Sequence, residues 1–144
     1  MTDAISGYGT LFQVGDAATP EVFTTVAEIK SISGPSLSMD TADATNMAST
    51  GGWREVIPTI LNGGDITLEV NYDPADATLG ASSGGLIDDM ENKTLRNFKL
   101  VMSDSGTTTW TFSGYVTAFS PDFSFDDVVT ASITVTISGQ PTLA

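Results

Sequence analysis

The chain has 144 residues, with eighteen Asp plus Glu against five Lys plus Arg and a net charge of −13. That length fits one domain over residues 1–144, large enough to bury roughly two-thirds of its unfolded surface. Cysteine and histidine are absent. This excludes a disulfide framework, a thiolate zinc site, a Cys nucleophile and the usual general base, while the acidic balance excludes an electrostatic grip on DNA or RNA.

No apolar run of about 18 residues predicts a membrane span, and no basic stretch followed by an apolar core marks a secretory signal. A hydrophobic content of 40%, placed in strand-like alternation, argues against disorder.

Residues 1–7 read as a loose polar arm. Tyr8–Val14 predicts a first strand, closed by Gly15-Asp16 and a turn through Pro20. Val22–Ile32 predicts a second, rich in Val, Thr and Ile, ending at Gly34-Pro35. Ser36–Asn62 shows little periodicity and is full of Thr, Ser, Asp, Ala and Gly, so it reads as a long loop. Loops above about 12–15 residues are usually either functional or disordered. This one also carries Leu37, Met39, Met47, Trp53, Val56 and Ile57, more apolar residues than a solvated loop needs. Met adapts to irregular surfaces and Trp anchors interfaces, so the segment reads first as one that orders against another chain, with a lid on its own domain and a disordered segment as the alternatives.

From Gly63 the pattern sharpens. Ile66, Leu68, Val70 and Tyr72 alternate with Thr67, Glu69 and Asn71, the period of a half-buried strand. Asp73-Pro74 suits a helix start, and Leu79, Leu86, Ile87 and Met90 space a helix over Pro74–Glu91, weakened by Gly80 and Gly84-Gly85. Leu95–Met102 and Thr109–Phe119 predict further strands, the latter with Trp110, Phe112, Gly114, Val116 and Ala118 on one face. Ser120–Asp127 reads as a turn. Ala131, Ile133, Val135 and Ile137 then point inward against an outward hydroxyl row, Ser132, Thr134, Thr136 and Ser138, before a Pro-containing tail over residues 139–144. The whole predicts a mainly β fold with one flanking helix.

No chemistry-bearing constellation emerges. Glycosidase chemistry needs two acids at a defined separation, and the adjacent pairs Asp88-Asp89 and Asp126-Asp127 are more simply solvated acids. No calcium-loop spacing appears, and Gly63-Gly64 lacks the Lys-Ser/Thr of a phosphate loop. The sequence therefore predicts no catalytic residue, no cofactor and no metal. Lys93, Arg96 and Lys99 suit a helix C-terminus; Arg54 and Arg96 alternatively pair with acids of a neighbouring chain. A carbohydrate-binding β-sandwich using Trp53, Tyr72, Trp110 and Tyr115 is the competing reading.

The motifs in order carry a resemblance. Gly7-Tyr8-Gly9-Thr10, Ser33-Gly34-Pro35-x-Leu37-Ser38-x-Asp40, Trp53-Arg54-Glu55-x-Ile57-Pro58, Asn62-Gly63-Gly64-Asp65 and Asn71-Tyr72-Asp73-Pro74 open the series. Thr94-Leu95-Arg96-Asn97-Phe98, the run Thr109–Val116 and the closing Ser138–Leu143 complete it. In this order and spacing the chain resembles the major tail tube proteins of long-tailed phages with non-contractile tails.

The resemblance implies a β-sandwich with one flanking helix, six copies of which form rings that stack into a hollow tube conducting DNA without specific binding. It implies a virion tail location, host cytoplasm during assembly, and tail tip, tape-measure and tail terminator proteins as partners. Related secretion tubes and gene-transfer particles share the fold. On this reading Leu37, Met39, Met47, Trp53, Arg54, Ile57 and Arg96 are the expected assembly contacts. Glu69, Ser132, Thr134 and Thr136 are the expected lumen-facing residues, an acidic and hydroxyl wall that wets without holding phosphates.

Overall fold

The computed structural model describes residues 2–26, 28–81 and 83–144. Among the described residues nine strands form two sheets: β1 (Leu11–Gly15), β2 (Phe23–Thr25), β3 (Ile29–Ser33), β4 (Ser38–Asp43), β5 (Val56–Asn62), β6 (Asp65–Asn71), β7 (Arg96–Val101), β8 (Thr109–Asp122) and β9 (Thr130–Leu143). Seven of them lie in the order β2-β1-β7-β8-β9-β6-β3, all neighbours antiparallel. Strands β4 and β5 form a separate two-stranded hairpin.

The two edge strands of the large sheet are consecutive in sequence, which dictates its shape. Thr25 and Ile29 are four residue steps apart, a span of about 14 Å at most. A flat seven-stranded sheet is about 29 Å wide. The sheet must therefore roll until its edges approach. Val26 N–H donates to Phe12 O of β1 at 2.8 Å, and Asn71 N–H of β6 donates to Glu28 O at 3.0 Å. The sandwich is one sheet folded over itself.

Alternation fills the roll. Across β6 and β9, Ile66 faces Val135, Leu68 faces Ile133 and Val70 faces Ala131, all buried. Phe98 is paired with Phe112 across β7 and β8, and its ring stacks on Phe112 at 5.7 Å and on Phe12 at 5.4 Å. Such aromatic pairs add about 0.5–1.5 kcal/mol each beyond area burial.

Several expectations change. Val22–Ile32 is two strands, β2 and β3, on opposite edges of the sheet. The helix shrinks to α1 (Leu86–Glu91). Ahead of it Asp73 Oδ1 accepts from Ala75 N–H at 2.9 Å, and Asp76 Oδ1 from Thr78 N–H at 2.8 Å, the side-chain turns with which Asp competes against helix. Leu79 and Leu86 still reach the core.

In β8 the pairing shifts between Val116 and Ala118. This bulge leaves Ala118 exposed and turns Phe119 toward the core, where its ring meets Tyr72 edge-on at 5.3 Å. Ser120–Asp122, expected in a turn, continue β8, and Gly139–Leu143, expected as a tail, continue β9, with Asp122 opposite Thr130 and Trp110 opposite Leu143.

The largest correction is Ser36–Asn62, which is a hairpin rather than an irregular loop. Ser38 pairs with Asn62 and Asp43 with Val56, and a 3-10 turn spans Thr50–Gly52. Every residue of β5 is exposed, and in β4 only Ala42 is half-buried. Alternation needs one buried face, so these strands had no period to show. The hairpin departs where two chains cross closely. Gly34 (φ 109°) and Gly64 (φ 71°) sit in the left-handed region, and a Cβ on Gly64 would lie 2.1 Å from Ser36 O. Only glycine fits that crossing.

Candidate assembly surfaces

Three surfaces stand apart from the core. The first is the hairpin, whose tip is ordered from within. Glu55 N–H donates to Thr45 Oγ1 at 2.8 Å, and Ser49 Oγ donates to Glu55 Oε2 at 2.9 Å. Asp43 Oδ1 accepts from Thr45 N–H at 2.9 Å. The Thr45 hydroxyl and then its N–H hold the Asp43 carboxyl below the usual carboxylate range.

On this frame Leu37, Met39, Met47, Trp53 and Ile57 all face solvent, as do Val56, Ile60 and Leu61. Trp53 is 78% exposed. Arg54 Nε lies 3.9 Å from Asp43 Oδ2 with both side chains in water, a pair too solvated to hold the arginine.

Arg96 departs from the rest of the expected contact set. Its Nε lies 3.4 Å from Asp89 Oδ2, with the side chains 14% and 2% exposed. The approach is ionic rather than an aligned hydrogen bond, since both atoms are buried without a hydrogen-bond partner. Burial raises the Asp89 carboxyl above its ordinary value, Arg96 pulls it back and Asp88 adds to the rise. The cation serves its own chain.

The second surface is the outer face of β3, β6 and β9. The register sets Glu69 opposite both Ser31 and Ser132, Thr67 opposite both Ser33 and Thr134, and Asp65 opposite Thr136. Ser31 Oγ donates to Glu69 Oε2 at 3.4 Å. Thr136 Oγ1 lies 3.0 Å from Thr117 Oγ1 of β8. All four expected lumen residues thus share one hydroxyl and carboxylate face.

The third is the β8–β9 loop, residues 123–129, where Phe123, Phe125 and Val128 stand in water. Sequence reasoning passed over it as a turn. The available signal was two phenylalanines between acids, a composition that a simple turn does not require.

The carboxylate pairs do not converge. Asp89 is buried against Arg96, and Asp126 and Asp127 are exposed. Among the described residues no group of three or more acids is placed to hold a metal ion. Tyr72 and Trp110, two of the four candidate sugar platforms, pack on the core.

A rolled antiparallel sheet with a projecting hairpin and unpartnered apolar loops defines a structural subunit built to associate. Residues 7–144 match the family model described as lambda phage tail tube protein, and the chain belongs to that family of structural tail proteins.

Solved structures show the same fold. A chain from the virion of a native gene transfer agent particle is 18% identical with TM-score 0.73, over 98% of this chain and 99% of that one. A chain from the sheath/tube terminator of an extracellular contractile injection system is 18% identical with TM-score 0.72, over 100% and 99%. The SPP1 tail tube is 14% identical with TM-score 0.71, over 97% and 78%. A search of curated protein sequences returned no match. Among the described residues no helix is long and apolar enough to cross a membrane.

Proposed function

We propose that this chain self-assembles into stacked hexameric rings forming a hollow virion tail tube that conducts DNA without binding it specifically, and that it has no catalytic role. The family match over residues 7–144 carries the reading. The exposed hairpin supports it, because apolar side chains on an isolated two-stranded arm gain nothing until a neighbour covers them. The C6 symmetry of a similar chain's tail, that of the empty gene transfer agent particle, supports six copies. Leu37, Met39, Met47, Trp53, Arg54 and Ile57 form the inter-subunit contact in this reading; Glu69, Ser132, Thr134 and Thr136 line the channel. Tail tip, tape-measure and terminator proteins bound the tube at its ends and length.

The role of the acid follows from charge. At physiological salt an acidic wall repels phosphates over a Debye length of about 8 Å, so DNA slides rather than adheres. A tube of a gene-transfer or injection particle is the second reading, favoured by the fold shared with those chains. Electron microscopy of the purified protein at high concentration tests the proposal: rings or rods are expected, and a persistent 15 kDa monomer, also in the presence of tail tip proteins, would overturn it.

A further inference from the structure

The β8–β9 loop leaves two phenyl rings in water. Phe125 is 102% exposed and Phe123 70%, and Val128 of the same loop 56%. Acids flank the rings, Asp122 on one side and Asp126 and Asp127 on the other. Exposed aromatic clusters of this kind mark contact sites.

An open groove of about 410 Å³ lies between the hairpin base and β9, lined by Leu37, Leu61, Asn62, Ile137, Gln140 and Pro141 among others. That volume falls within the range of about 300–1,000 Å³ typical of binding clefts. No ionised side chain lines the groove, on a chain whose net charge is −13. An acid-flanked loop meets repulsion over much of this surface, and no carboxylate lines this groove. Asn62 Oδ1 accepts from Gly64 N–H at 2.9 Å, which leaves the Asn62 amide hydrogens to donate, and exposed Gln140 adds more. Donors line the groove and carboxylates flank the loop.

Their positions exclude a contact within one chain. Strand β9 pairs regularly with β6 from Thr130 to Thr136, and at about 3.3 Å per residue the stretch from Thr130 to Ile137 covers about 23 Å. Loop and groove occupy opposite ends of the roll. A projection at one end and a recess at the other make a heterologous contact, which forms a ring where its rotation closes and an open stack where it does not; an end-to-end offset along the strands suits the stack.

We propose that the Phe123–Val128 loop of one copy seats in the Leu37, Leu61, Ile137 and Pro141 groove of a second copy in the next ring, giving the stack its direction. This rests on the tube reading above. The absence of cysteine makes the test clean. Tubes of a Phe125→Cys, Leu61→Cys double variant, treated with a short bis-maleimide, are expected to yield a ladder of linked chains on a denaturing gel. A mixture of the two single variants yields dimers only, and each alone stays monomeric on the gel. Dimers from Phe125→Cys alone, or tubes that do not cross-link, would overturn the contact.

A second arm uses Phe123→Ser with Phe125→Ser. These chains should keep their circular dichroism yet stop at single rings, with rods restored by Phe123→Leu and Phe125→Leu. Rods of normal length from the serine variant would overturn the contact and leave the tube reading standing. Unmodified protein that never forms rods would remove both.

Discussion

Asp89 Oδ2 and Arg96 Nε meet at 3.4 Å beneath α1, with Asp89 almost sealed from water. Burial outweighs the arginine and raises the Asp89 carboxyl above its ordinary value of 3.8. A carboxyl raised in the folded state favours the protein when protonated. Its contribution is therefore fully present below 3.8 and is lost as pH rises through the raised value. The Arg96 guanidinium offsets part of that burial cost for the carboxylate form.

Arg96→Met should accordingly cost about 3 kcal/mol at pH 7, the effect of leaving a buried charge unpaired. The loss should narrow as acid protonates Asp89, and adding Asp89→Asn should recover most of it. Denaturant unfolding from pH 4 to pH 8 checks this. A loss independent of pH would show that missing packing, rather than an unpaired carboxylate, sets the cost.

Trp53 should behave in the opposite way. It is 78% exposed at the hairpin tip, so Trp53→Ala should leave the unfolding midpoint unchanged while blocking rod formation. Interface anchors of this type are worth about 2 kcal/mol or more. Hydrogen exchange adds a second reading: amides of β4 and β5 should exchange quickly in the free subunit and slowly in the tube. Equal protection in both states, or a destabilised subunit, would place the hairpin's partner within its own chain.

The contrast between these residues shows what the sequence could carry. Where one face is buried, as in Ile66-Leu68-Val70 and Ala131-Ile133-Val135, alternation marked the strand and its inward side. The same rule failed in β4 and β5, because a hairpin exposed on both faces has no pattern to read. It failed past Thr117 because a single bulge moved Phe119 to the core side and Ala118 out. Arg96 was ambiguous because its partner, Asp89, lies on a helix whose length the glycines obscured. The hydroxyl face was legible, since Glu69, Thr134 and Thr136 follow from the inward set by simple alternation.

Salt should favour assembly. Each copy carries −13, and in the proposed tube rings of six would stack against that repulsion. Screening shortens its reach from about 30 Å at 0.01 M ionic strength to about 10 Å at 0.1 M. Rod formation, followed by light scattering, should therefore rise between these concentrations. Rods that dissolve steadily over the same range would mean that arginine–carboxylate pairs hold the interface instead of apolar contacts.

The proposed channel wall offers the sharpest test of orientation. Ser132 lies opposite Glu69, and Thr134 opposite Thr67, on the outer face of β6 and β9. An outer face of hydroxyls and acids also suits a strand that simply meets bulk solvent, so exposure alone does not decide between outside and lumen. Lysines do. Ser132→Lys with Thr134→Lys keeps the inward set Ala131, Ile133 and Val135 untouched, and rings should still form. If six copies turn this face inward, DNA meets a ring of new cations, and each phosphate held adds affinity through counterion release, with a salt slope of about −0.9 per contact on duplex DNA. Ejection from particles built with the variant should slow and recover as salt is raised. Normal ejection at low salt from well-formed lysine-bearing tubes would place this face on the outside of the tube and move the lumen elsewhere on the roll.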